Sequence, residues 1–167
     1  MTSIYVRQPI FNRLKQNIYD NNGNTVLNIK VKLRVNPIYY FYINKELIFT
    51  AKLTMVKNSI KKQFIIYDKQ DKKQAIVRPK PIHKKENVFS EFVIESNDEV
   101  FDVKSSFAFK EFTITDKEKE KVVEAKRVSS FMKNIMEIRD YKIDIINDFY
   151  MKTFLWIAIT KGIIELM

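Results

Sequence analysis

The stretch Phe149–Met167, FYMKTFLWIAITKGIIELM, is apolar on nearly every side. A helix that is hydrophobic all round has to be buried, in a large core or in a membrane. Its polar positions are few: Lys152, Thr153, Thr160, Lys161 and Glu165. The longest run without a charge, Thr153–Thr160, is eight residues. A membrane span needs about 20 mostly apolar residues, and Gly162 weakens the helix further. The expectation is therefore a core helix over about 149–166, with Asn147 or Asp148 as its N-cap. No transmembrane span is expected.

The rest of the chain reads as strands. In Val26–Val35, Leu27, Ile29, Val31, Leu33 and Val35 fall on one face and Asn28, Lys30, Lys32 and Arg34 on the other. That period of two predicts a strand with one buried face. Tyr39–Ile43 and Leu47–Leu53 flank a turn at Asn44-Lys45-Glu46, and Phe89–Glu95 and Val100–Ser105 flank another at Ser96-Asn97-Asp98. Tyr141, Ile143 and Ile145 alternate with Lys142 and Asp144. Phe107 and Phe109 change phase to Phe112 and Ile114, which predicts a bulge near Lys110-Glu111. Ser129–Ile138 reads as a short amphipathic helix or as strand and loop.

An internal repeat runs through these strands. Asp20, Asp68 and Asp116 close NIYD, FIIYD and FTITD, and lie 48 residues apart (68 − 20 and 116 − 68). A polar turn and a second strand follow each aspartate. Even spacing points to a modular β architecture. The aspartate suits the turn, because its side chain can bond the backbone two residues on.

About eleven or twelve strand candidates precede Asp148. Eight strands make a barrel that its own side chains just fill. More are needed to admit a helix about 10–12 Å across and roughly 27 Å long. The expected fold is all-β: one domain over 1–167, a closed barrel of strands over about 4–146 enclosing the C-terminal helix. Closure also removes exposed strand edges.

These segments resemble a known family. YVRQPIFN, NIYDNNGNTVLNIK and DYKIDIINDFYMKTFLWIAITKGIIEL resemble the opening strand, the Asp/Gly hairpin and the strand–break–helix ending of bacterial tubby C-terminal-like proteins. That group is related to plant LURP-one proteins and, distantly, to phospholipid scramblases. The resemblance covers nearly the whole chain and implies a twelve-stranded barrel around a hydrophobic C-terminal helix. Its eukaryotic members bind phosphoinositides through surface lysine and arginine. Two departures stand out: the turns at Asp68 and Asp116 lack the equivalent of Gly23, and Ser129–Ile138 is long for the family.

Composition narrows the chemistry. The chain has no cysteine, which excludes disulfides and thiolate metal sites, and a single histidine, His83. No nucleophile, acid and base set emerges, so the expectation is a non-enzymatic protein without cofactor or metal. MTSIYVRQPIF lacks the pattern of a signal peptide, so a cytoplasmic protein, in part peripheral to the membrane, and a monomer is expected.

The net charge is +10. Residues 1–90 hold 18 Lys/Arg against 5 Asp/Glu, whereas residues 91–167 hold 12 against 15. Such asymmetry points to a basic face for an anionic partner, although a lysine-rich surface also serves solubility alone. The anion-binding candidates are Lys30, Lys32 and Arg34 along one strand; Lys57, Lys61 and Lys62 at the start of another; and Lys72, Lys73, Arg78, Lys80, Lys84 and Lys85 in the second repeat hairpin and its following loop. They suit anionic lipid headgroups at a membrane surface. Nucleic-acid phosphate is the alternative, and scramblase-like lipid handling is a third. The aromatic run Tyr39–Tyr42 is read as strand, with Tyr39 and Phe41 inward. Trp156 is read as core with its indole N–H bonded to a partner.

Overall fold

Period-two alternation gives each strand one apolar face, which a single sheet can bury by curling around its own apolar side. In a computed structural model that describes residues 1–8, 14–80, 91–106, 110–128, 139–148 and 151–167, it does so. Twelve strands form one closed antiparallel barrel. They are β1 (Thr2–Gln8), β2 (Lys15–Asp20), β3 (Thr25–Lys32), β4 (Ile38–Ile43), β5 (Glu46–Met55), β6 (Lys62–Tyr67), β7 (Lys73–Pro79), β8 (Glu91–Ser96), β9 (Glu99–Ser105), β10 (Glu111–Thr115), β11 (Lys121–Arg127) and β12 (Arg139–Ile145). Each pairs with its neighbours in sequence, and β1 closes the ring against β12, with Thr2 opposite Ile145 and Gln8 opposite Arg139.

The helix α1 (Thr153–Leu166) fills the barrel. It has 14 residues, about 21 Å at the usual rise, and so is shorter than the eighteen expected. Asn147 and Asp148 do not cap it. Lys152 holds the N-cap position in extended conformation, without a side-chain cap bond. Trp156, Ile157, Ala158, Ile159 and Ile163 are buried against inward residues such as Ile29, Phe41, Phe64, Phe101, Phe112 and Tyr141. Trp156 meets Phe101 edge-on at 5.1 Å between ring centroids. The expected indole hydrogen bond is absent: the Trp156 Nε1 has no partner among the described residues.

Gly162 sits under the Phe64 ring, where an added Cβ would lie 2.5 Å from a ring carbon. Close approach to β6, not flexibility, explains a glycine inside this helix. Lys161, fully buried one residue earlier, is ion-paired to Glu165, and the Tyr39 hydroxyl donates to the other Glu165 carboxylate oxygen at 2.8 Å. Burial of an ammonium requires such pairing.

The repeat is a repeat of turn geometry. One Asp20 carboxylate oxygen accepts the amides of Asn22 and Asn24 at 2.8 and 2.9 Å. Asp68 accepts those of Gln70 and Lys72, both at 2.9 Å, and Asp116 those of Glu118 and Glu120 at 2.9 and 3.0 Å. The left-handed position three residues after each aspartate is Gly23 (φ 82°), Asp71 (57°) and Lys119 (68°). The following strand then bulges at Val26, Gln74 and Val122 respectively.

Two further expectations need correction. β3 stops at Lys32, and Leu33 and Val35 are exposed outside it rather than buried in its face. Pairing of β3 with β4 begins at Lys32 opposite Ile38, so residues 33–37 have to loop outward. No bulge sits at Lys110-Glu111: β10 begins there as a separate strand, and its irregularity lies at its other end, between Ile114 and Thr115. Phe107, Phe109 and Ser129–Ile138 lie outside the described residues. The aromatic run behaves as expected, with Tyr39 and Phe41 buried and Tyr40 and Tyr42 partly exposed.

Candidate anion-binding rim

Because the barrel is a meander, strand parity decides which end of the molecule each connection occupies. The tight turns after even-numbered strands gather at one end, here the turn end. Odd-numbered strands run toward the other end, here the rim. The C-terminus of α1 also lies toward the rim, since Gly162 meets Phe64 at the start of β6 and Glu165 meets Tyr39 at the start of β4.

The two ends differ in charge. Among the described residues, the connecting segments at the rim carry Arg34, Lys57, Lys61, Lys80 and Lys110 and no Asp or Glu. Those at the turn end hold Lys45, Lys69, Lys72, Lys117, Lys119 and Lys152, interleaved with Asp68, Asp71, Asp98, Asp116, Glu118, Glu120 and Asp148. The described rim connections therefore carry an excess of positive charge, with Glu111 and Asp140 at the rim ends of β10 and β12, while charges of opposite sign offset each other at the turn end.

This topology sorts the candidate residues. Lys30 and Lys32 form the expected outward row on β3, and Arg34 continues past its end in the exposed 33–37 loop. The Lys30 ammonium lies 5.0 Å from the centroid of the Tyr42 ring, in cation–π range. Lys57 and Lys61 occupy the loop between β5 and β6, and Lys62 opens β6. The Lys61 ammonium reaches the Lys80 carbonyl at 3.5 Å. Lys32, Arg34, Lys57, Lys62 and Lys110 form no salt bridge with a described residue, which leaves their charge to solvent or a ligand.

The cluster expected in the second hairpin is divided. Lys72 and Lys73 stand at the turn end, and Arg78 and Lys80 at the opposite end of the seven-residue strand β7, roughly 20 Å away along the strand. Arg78 is ion-paired with Glu95. Lys80 and Lys119 both bind Asp102, each at 2.7 Å. Those two ammoniums, Lys119 first, hold the Asp102 carboxyl below the usual carboxylate range against the opposing effect of burial. Arg78 and Lys80 thus spend their charge within the protein. Lys84, Lys85 and His83 lie outside the described residues.

Lys15 and Lys110 were missed in the sequence. Their signal is strand parity: Lys15 opens β2 and Lys110 precedes β10, each where an even-numbered strand leaves the rim. A cleft of about 500 Å³ beside β1 and β2 is lined by Tyr5, Tyr19, Asp20 and Asp140, among others. Its Asp20 is committed to the turn, and the Asn24 side chain and amide together hold that carboxyl below the usual range. Among the described residues no three His, Cys, Asp or Glu converge as a metal site.

Outward strand positions such as Lys30, Lys52, Lys104 and Lys126 are exposed, and inward ones are apolar. Barrels that sit in a bilayer show the reverse pattern. Among the described residues no helix is long and apolar enough to cross a membrane. No family model, curated protein or solved structure matches the chain significantly.

Proposed function

We propose that this is a non-enzymatic binding or scaffold protein that associates with anionic lipid headgroups through the basic rim of its barrel. One observation carries the reading: the described rim connections hold five cations, of which only Lys80 is ion-paired with a described residue, and no carboxylate, against a mixed population at the turn end. Basic residues near an anionic surface contribute about 1 kcal/mol each, so a handful suffices for reversible association. The relation to the tubby C-terminal-like family is part of the same proposal. A barrel around a C-terminal helix is the architecture that resemblance implies, and surface-cation binding of lipid is its implied activity.

The test is sedimentation with vesicles. Vesicles of phosphatidylglycerol and phosphatidylcholine should retain the protein at low salt, release it as salt rises, and outperform pure phosphatidylcholine. Retention by neither kind of vesicle at low salt would sink the reading. Lys32→Glu with Arg34→Glu should weaken retention, whereas Lys72→Glu with Lys73→Glu at the opposite end should leave it unchanged. A salt-dependent mobility shift with DNA or RNA, without vesicle binding, would move the function to nucleic acid.

A further inference from the structure

Burying large apolar side chains is the main favourable term in folding, so their exposure in one place calls for a reason. Nine large hydrophobic residues are exposed among those described. Met1, Val100 and Ile146 lie toward the turn end; the other six (Leu14, Leu33, Val35, Met55, Ile60 and Val128) lie at the rim. The most exposed are at the tips of two loops. Val35 is 101% exposed and Ile60 92%, so almost nothing packs on either.

These tips share their loops with cations. Leu33 and Val35 flank Arg34 next to Lys32, and Ile60 stands between Lys57 and Lys61. The 33–37 and 56–61 loops lie on either side of the β4–β5 hairpin, and no Asp or Glu occurs in either. Val35 and Ile60 are protruding apolar residues set among cations that form no salt bridge with a described residue. They match the layered chemistry of an anionic bilayer, whose negative headgroups overlie an apolar interior. Lysine and arginine can keep their charge at the headgroups while neighbouring apolar groups go deeper.

We infer that the rim docks end-on to an anionic bilayer, with the loop tips at Val35 and Ile60 inserted below the headgroups and Lys32, Arg34, Lys57 and Lys62 held among them. This rests on the lipid-binding reading above and deepens it: attraction brings the rim to the surface, and insertion anchors it there through the loops on either side of the β4–β5 hairpin. The turn end, with its mixed charge, then faces away from the membrane.

The lack of cysteine makes the test direct. Val35→Cys, Ile60→Cys and Glu118→Cys, the last exposed at the turn end, are each labelled with an environment-sensitive fluorophore. They are mixed with phosphatidylglycerol–phosphatidylcholine vesicles in equal parts. The labels at 35 and 60 should shift to the blue and be quenched by a bilayer-embedded quencher, while the label at 118 stays in water. Without labels, Val35→Asn with Ile60→Asn should weaken vesicle partitioning at least roughly tenfold at unchanged melting temperature, since neither side chain is packed.

Outcomes separate the two proposals. If the protein sediments with vesicles but the labels at 35 and 60 stay in water and the double variant partitions normally, insertion is overturned and headgroup attraction stands. If no vesicle binds, both fall. If those labels become shielded with rising protein concentration and no lipid, the rim meets a second copy of the chain and insertion is again overturned.

Discussion

Asp20, Asp68 and Asp116 each spend a carboxylate oxygen on two backbone amides, in turns of one geometry. What differs is the left-handed residue. Gly23 adopts its φ of 82° freely, whereas Asp71 at 57° bears the cost of a Cβ in that region. Asp71→Gly should therefore stabilise the protein by about 0.5 kcal/mol after the entropic cost of glycine, read as a higher urea midpoint. Lys119, at 68°, offers no such gain, because its ammonium is tied to Asp102. Asp102 itself adds a pH dependence. Its folded pKa is depressed, so its stabilisation is complete above about pH 4 and is lost as the pH falls through the folded value. Asp102→Asn should cost up to about 1 kcal/mol at neutral pH. Urea midpoints of the variant and the parent should converge as the pH falls through that depressed value.

Among the elements, α1 shows most clearly what a sequence does and does not reveal. Its all-round apolarity announced a buried helix, and the strand count announced a container. The partner of Gly162 was invisible. Phe64 is almost a hundred residues away in sequence, and only closure of the barrel brings its ring within 2.5 Å of where a Cβ would stand. Gly162→Ala should destabilise by about 1–3 kcal/mol through overpacking, despite alanine's better helix propensity. Phe64→Leu should recover part of that loss in the double variant, measured by thermal unfolding. Alternation failed at Leu33 and Val35 because period two cannot tell the end of a strand from its continuation into a loop. The rim charge was only half legible for a similar reason. Lys72 and Lys80 are near in sequence, but β7 carries the chain from one end of the barrel to the other between them. Sequence proximity groups what strand direction separates.

At the scale of the whole molecule, a twelve-stranded ring has room at its axis that its own side chains do not fill, so α1 is a structural requirement. A chain ended after Asp148 should be insoluble or unfolded; a soluble truncation with a cooperative melt would overturn that view of the core. The closing seam depends on the same region. β1 pairs over seven positions with β12 but over only three with β2. The first strand is thus held mainly by the last one, and the filler follows directly after. On a ribosome, then, every earlier strand emerges before either the partner that closes the ring or the helix that keeps water out of it. An unclosed sheet with a bare apolar face must wait until β12 and α1 have emerged. Synthesis of this protein should lean on chaperones that shield such faces, and stalled or shortened nascent chains should be the forms that aggregate.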